Sequence, residues 1–460
     1  MSTDNRKRAI VIGGSMAGLM AARVLSSRFD EVTVVERDRF PEDVKNRAGA
    51  PQGQHVHVLL IQGRRILERL FPGFEEELCR GGAVVFDSGA DFKWLTPGGW
   101  APRFPCNLPL FAASRALIEW VVRRRVMAQP NVRVIQGVDV SGVTCAPGGG
   151  VSGINLRYRS DGHLEHIGGA MVADGSGRGS KMPEWLEAVG YGRPAETKVD
   201  GHLAYASRTF RRTAGADWRA AYSQAAPPEN NRTGLVFPIE GDRWLVTLAG
   251  GGGDHPPTDE EGFRAFARSL PNPEIGAIVE SAEALTPIVA NRGTHNRMRH
   301  YERLRLPDGL AVLGDAFCAF NPVYGQGMST AALGAELLGH CLDRRALAGF
   351  HINLARRLKT AWMFATSEDM RYPGAEGGQA GWRLRMMHAY IDRVIAASTG
   401  DRNVRLKLLQ VTHLLEEPGI LFTPPVAWKA FAARPRTLAR GQAKQPASFD
   451  KIEARTGCAG

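Results

Sequence analysis

Three glycine-rich turns carry the residues of this chain whose types and spacing could do chemistry. The first is Gly13-Gly14-Ser15-Met16-Ala17-Gly18, directly after the apolar run 9–12 and ahead of Met20, Ala21, Val24 and Leu25 at helical spacing. An anionic pyrophosphate binds at such a point. The first backbone N–H groups of a helix lack partners within it, the helix dipole favours negative charge, and glycine lets the backbone approach closely. Ser15 stands where the dinucleotide fingerprint G-x-G-x-x-G has its second glycine, so a small residue must serve there. Glu36 ends the next apolar run, 32–35, where a carboxylate reaches a ribose hydroxyl.

The second turn, "ADGSGRGS", follows the β-like residues 170–172 and holds Asp174, Gly175 and Arg178. The third, "GDAFCAFNPVYGQGMS", follows 310–313. There Asp315 ends an apolar strand before a glycine-rich turn and reads as a hydroxyl binder, while Gly325-Gln326-Gly327-Met328 lead into a helix. Arg115, on the first turn of another helix, reads by itself as a solvated charge. His55 and His57 share no helix face and lie beside the Gln52-Gly53-Gln54 turn, so they read as neighbours of a bound group or of Arg47 rather than metal ligands. His163 and His166, in the Asp161-Gly162 hairpin, read as exposed strand residues. The cysteines Cys79, Cys106, Cys145, Cys318, Cys341 and Cys458 are far apart and form no CxxC, which argues against a zinc module, a redox dithiol and a disulfide scaffold. Cys318 reads as packing, and no metal site is expected.

"VIGGSMAGL" with Glu36, "VADGSGRGS" and "GDAFCAFNPVYGQGMS", in this order and at these separations, resemble the three signatures of FAD-dependent class A flavoprotein monooxygenases, the fold group of para-hydroxybenzoate hydroxylase. "NRAGAPQGQHVHVLL", "GSGRGSKMPEWLEAVGYGRP", "SEDMRYPGAEG" and "VTHLLEEPGILFTPPV" resemble the bacterial flavin epoxidases of polyether antibiotic pathways, a likeness that runs to about residue 430. The resemblance implies FAD, with Gly13, Gly14, Ser15, Met16 and Ala17 against its pyrophosphate, Glu36 on the adenosine ribose and Arg37 flanking the adenine. It places Arg115 on a phosphate or ribose, Asp315 on the flavin-side ribitol or ribose, and Arg47 and Asp174 also at the cofactor. Gly325, Gly327 and Met328 then open a helix toward the flavin pyrimidine, where its dipole stabilises negative charge on the reduced ring. The longer arginine pattern of the aromatic hydroxylases is only partly met around Arg178.

The activity implied is epoxidation or hydroxylation of an apolar small molecule, in secondary metabolism, with NADH or NADPH as electron donor and O₂ as co-substrate. The cofactor performs the oxygen activation, so no side chain is singled out as catalytic. Rival readings are an isoprenoid-chain reductase, a flavin-dependent halogenase and a non-catalytic flavin binder. The halogenase segment WxWxIP does not occur, and no added output domain of a sensor is visible.

Strand, glycine turn, helix and strand within the first 36 residues make a βαβ unit, whose crossover forces a parallel pair. Ser114 reads as the N-cap of a helix with an apolar stripe from Leu117 to Val126 and Arg123 to Arg125 at its wet end; strands follow at 132–135 and 151–158. The expected architecture is α/β. A discontinuous Rossmann-like FAD-binding domain (1–85, 111–195 and 291–345) carries an inserted antiparallel substrate-binding sheet (86–110 and 196–290). A helical C-terminal region follows (346–460), with a frayed basic tail after Ala433. Phe210, Phe237, Trp244 and the Trp94/Trp100 segment are expected to wall the substrate pocket.

The 460 residues are 43% hydrophobic and 23% charged, a globular composition. Of the net charge of +11, the last 60 residues hold ten Lys/Arg against five Asp/Glu. No stretch interleaves aromatics with Lys/Arg, so no nucleic-acid partner is expected. The uncharged run 316–335 is broken by Asn321, Pro322, Gly325 and Gly327 and cannot be a membrane helix, and no signal-peptide pattern opens the chain. A cytoplasmic enzyme is expected, and nothing in the pattern sets an oligomeric state.

Overall fold

The runs 9–12 and 32–35 are apolar throughout because both faces of a parallel sheet are covered. In the computed structural model, which describes residues 7–47, 49–378 and 381–433, they form the strands Arg8–Ile12 and Glu31–Glu36 of a five-stranded parallel sheet. Across that sheet the order is Leu310–Val312, Met171–Asp174, Arg8–Ile12, Glu31–Glu36 and Val132–Gln136. Arg8–Ile12 lies in the middle, and the chain adds strands first on one side of it and then on the other. Ligands of such open sheets bind outside the carboxyl ends of the strands where the order reverses, here between Arg8–Ile12 and Met171–Asp174. The helices Met16–Ser26 and Gly327–Asp343 pack on each other, and Arg115–Met127 packs beside Met16–Ser26. Ser114 caps the last of these, its hydroxyl accepting from the Leu117 N–H at 3.1 Å. Arg123 departs from expectation: it is buried, donates to the Pro41 carbonyl and lies over the Phe40 ring, because the segment after Glu36 folds across this helix face.

A seven-stranded sheet is built from Val289–Asn291, Ala204–Arg211, Arg243–Gly250, Arg232–Ile239, Ala220–Ser223, Phe92–Thr96 and Gly99–Trp100, in that order. Its pairs are antiparallel except where Ala220–Ser223 joins Phe92–Thr96 in parallel. That junction unites two distant chain segments, so no hairpin imposes direction. Strand alternation separates its aromatics. Phe210 and Trp244 pair across strands and point, with Val236, Val246 and Leu248, into a core closed by the helices Glu260–Arg268 and Pro273–Ser281. Phe237 pairs with Leu245 and points to the opposite face, among Phe86, Phe92, Trp94 and Leu110. The expectation that Phe210 and Trp244 wall a pocket is therefore corrected: both are 1% exposed on the helix-covered face.

Helical spacing after residue 346 becomes Phe350–Asp369, Trp382–Ser398, Arg402–Thr412 and Pro424–Ala432. The expected frayed tail lies outside the described residues. No helix among the described residues is long and apolar enough to cross a membrane.

Candidate functional site

Register brings the three turns together. Ile12 pairs with Asp174 and with Val35, and Asp174 pairs with Val312, so Gly13, Gly175 and Leu313 leave the sheet at one level. Backbone then packs on backbone. A Cβ on Gly18 would lie 1.8 Å from the Gly13 carbonyl oxygen, and one on Gly13, whose φ is +92°, would lie 2.8 Å from that of Gly175. On Gly314 it would lie 2.5 Å from the Ala17 Cβ. Asp174 secures this junction without facing outward. It is fully buried, and its carboxylate accepts from the Ser176 N–H (2.9 Å) and from the hydroxyls of Ser176 (2.6 Å) and Ser180 (2.5 Å). Direct contact between Asp174 and a bound group is thus corrected to a positioning role.

The first helix start is left open by its own N-cap. Ser15 does not cap Met16–Ser26; its hydroxyl donates to Glu119 at 3.0 Å and accepts from Arg115 Nη2 at 3.0 Å. Glu119 also pairs with Arg115 (2.8 Å) and Arg47 (2.8 Å), and Arg47 reaches Asp38 (3.2 Å) and Glu36 (3.4 Å). Burial works to raise the Glu119 carboxyl, but Arg115 and Arg47 outweigh it and hold it below the usual range. Arg115 is 5% exposed, and its Nη1 is buried with no hydrogen-bond partner. An unpaired guanidinium nitrogen beside an uncapped helix start is the donor set an anion requires. Glu36 accepts the Gly14 N–H at 2.7 Å, while its other oxygen accepts the Asp38 N–H at 3.0 Å. Arg37, by contrast, is exposed and lies 3.9 Å from Asp38. Met16 is buried beneath the turn.

The third turn supplies the other half. Asp315, with 37% of its side chain exposed, lies 4.0 Å from Arg178. The Arg178 guanidinium is itself fixed by the carbonyls of His295 and Phe320. Gln326, at the start of Gly327–Asp343, makes no side-chain cap, and its buried Oε1 has no partner. A Cβ on Gly327 would lie 3.9 Å from Asp315, and Gly325 (φ +64°) faces Val58. Met328 is buried in the helix behind them.

His55 and His57 lie on a strap between the sheets. His55 Nδ1 bonds the Ser207 hydroxyl at 2.8 Å, its ring meets Tyr205 edge-on, and burial pushes it down to about 4. Burial and the nearby Arg115 push His57 down to about 3. Both rings are therefore neutral at pH 7. Glu119 is the site residue that the sequence reading missed. Its signal is present: Arg115, Glu119 and Arg123 recur every four residues on an otherwise apolar helix, which places all three on one face.

No protein-family model matches the chain. Protein Rv3254 of Mycobacterium tuberculosis (strain ATCC 25618 / H37Rv) is 30% identical over 446 residues, which cover 93% of this chain and 94% of the relative. The chain belongs to the Rv3254 family. Among solved structures, this member of the family is similar to a flavoprotein/dehydrogenase from Cytophaga hutchinsonii, with a TM-score of 0.64 and 18% identity, covering 92% of this chain and 96% of that one. The flavin-dependent brominase Bmp2 is similar with a TM-score of 0.64 and 13% identity, over 92% and 98%. PqsL, a probable FAD-dependent monooxygenase from Pseudomonas aeruginosa, is similar with a TM-score of 0.56 and 18% identity, over 88% and 99%. The family member described here thus has the mixed α/β fold of FAD-binding flavoproteins.

Proposed function

We propose that this chain is an FAD-dependent monooxygenase that uses NADH or NADPH and O₂ to epoxidise or hydroxylate an apolar small molecule. The observation that carries the reading is the buried, unpartnered Arg115 Nη1 beside the uncapped start of Met16–Ser26, with a second uncapped start at Gly327. In this reading the N–H groups of the 13–17 turn and Arg115 hold the FAD pyrophosphate. Glu36 takes the adenosine ribose and Asp315 the ribitol, while the start of Gly327–Asp343 faces the ring. When bound and reduced, FAD supplies the activation of O₂. The FAD-binding unit comprises 1–85, 111–195 and 291–345, and residues 86–110 and 196–290 offer the substrate the Phe237 face of the large sheet. Apolar lining there excludes water from the reacting groups.

Bmp2 shares the fold, and flavin-dependent halogenation is the second reading. Turnover under ¹⁸O₂, with and without halide, separates the possibilities. Product carrying ¹⁸O in the absence of halide supports the monooxygenase. Halogenated product supports the second reading, and a saturated product formed without oxygen replaces both with a reductase.

A further inference from the structure

Arg405 stands out among the buried charges of the C-terminal helices. It is 1% exposed, yet its Nε and Nη1 have no hydrogen-bond partner, and it takes part in none of the ion pairs of the described residues. Its guanidinium carbon lies 4.2 Å from the centre of the Trp94 ring, which positions the charge without satisfying its in-plane donors. One turn further along the same helix, Leu409 is buried with Phe237, Phe86 and Ile61, with Val58 packed against them. Val58 in turn meets Gly325 of the third turn. Arg405 therefore stands at the Trp94 end of an apolar cluster whose other end, Val58, lies beside the proposed flavin position.

The groups around Arg405 leave its charge uncompensated. Burial pulls it down to about 9, so it remains protonated at pH 7. The neighbouring Cys106 thiol, which donates to Asp87 at 3.1 Å, is pushed up to about 11 by burial and stays neutral. His413, 5% exposed, is held down to about 4 by burial and by the Arg405 charge, and its Nδ1 also lacks a partner. A buried guanidinium with free donors is costly unless a ligand pairs with it, and planar oxyanions match its fork.

We propose that Arg405, with His413 beside it, is a recognition site for an oxyanion, a carboxylate or ionised phenol, carried at one end of the otherwise apolar substrate. This deepens the monooxygenase reading and rests on its placement of substrate against the Phe237 face. Calorimetric titration of the purified protein tests it with two matched pairs: naphthoate against neutral naphthamide, and para-nitrophenolate against its methyl ether. At least one anion should bind about 10-fold or more tightly than its neutral partner, since a charge-assisted hydrogen bond is at stake, and the pair that discriminates identifies the source. Arg405→Met should abolish the preference while the neutral ligands bind as before, and Arg405→Lys should keep part of it. If Arg405→Met does not fold, the wild-type pairs and Arg405→Lys decide. No oxyanion bound better than its neutral partner, or a preference that survives in Arg405→Met, overturns the proposal. FAD content is measured on the same samples. Protein that is colourless, takes up no added FAD and keeps the Arg405-dependent preference would refute the flavin reading alone, whereas FAD-binding protein without the preference would refute the oxyanion site alone.

Discussion

Replacing Arg115 by Met removes a guanidinium that sits between the fold and the proposed cofactor. On the cofactor side the loss is the donor Nη1, buried and unpaired within the protein. One charge-assisted hydrogen bond is worth about 1.5–3 kcal/mol, so FAD should bind about 10- to 150-fold more weakly. On the protein side, Glu119 loses Arg115 at 2.8 Å and keeps Arg47 at 2.8 Å and Arg123 at 3.9 Å. Stripping a buried carboxylate of every partner costs about 3–5 kcal/mol, so with Arg47 and Arg123 retained the destabilisation should be roughly 1–3 kcal/mol. The double variant Arg115→Met/Glu119→Gln removes the partly compensated carboxylate together with its remaining ion pairs, and should recover part of the stability without recovering FAD affinity. Flavin titration and urea unfolding of the single and double variants read the two effects separately. A folded Arg115→Met protein that binds FAD within about twofold of wild type would refute the assignment of Nη1 to a phosphate.

Asp315→Ala should lower FAD affinity by more than Glu36→Gln in the same titration, since the first deletes the acceptor and the second keeps one; equal small effects would remove Asp315 from the site. Phe210→Ala should cost about 3–5 kcal/mol in unfolding and leave FAD uptake unchanged, because its ring is buried on the helix-covered face of the large sheet. Altered uptake without lost stability would contradict the assignment of its sheet face. His351 accepts the Val312 N–H at 2.9 Å, and burial holds its ring down to about 3. A group whose folded pKa lies below its unfolded value stabilises above about pH 6.5 and loses that contribution as pH falls toward 3. His351→Gln should therefore gain about 2 kcal/mol relative to wild type between pH 7 and pH 5 in urea unfolding, and parallel pH profiles would count against a neutral buried ring.

Three strands of the parallel sheet, Arg8–Ile12, Met171–Asp174 and Leu310–Val312, were legible because each is an apolar run that enters a glycine-rich turn, and the other two because they are short β-like runs. The helices after residue 346 showed by their helical spacing. What lay beyond the sequence was the face that each side chain takes. Phe210, Phe237 and Trp244 are equally aromatic, and only the pairing of Trp244 with Phe210 and of Leu245 with Phe237 sorts them. Asp174 ends its strand and Asp315 lies in the 3-10 turn Gly314–Ala316 just after Leu310–Val312, yet the hydroxyls of Ser176 and Ser180 consume the first carboxylate and leave the second open. Arg115 looked like a surface charge because Ser15, which accepts from it, and Arg47, which shares Glu119 with it, come from segments far away in the chain. Arg405 was equally hidden, since a lone arginine on an amphipathic helix gives no sign that Trp94 will cover it.

The claim on which the rest depends is that the two helix starts, at Met16 and at Gly327, hold FAD. Purified protein should be yellow, with the visible absorption of oxidised flavin, and heating should release FAD in stoichiometric amount with no covalent remainder. Colourless protein that also fails to take up added FAD would contradict it.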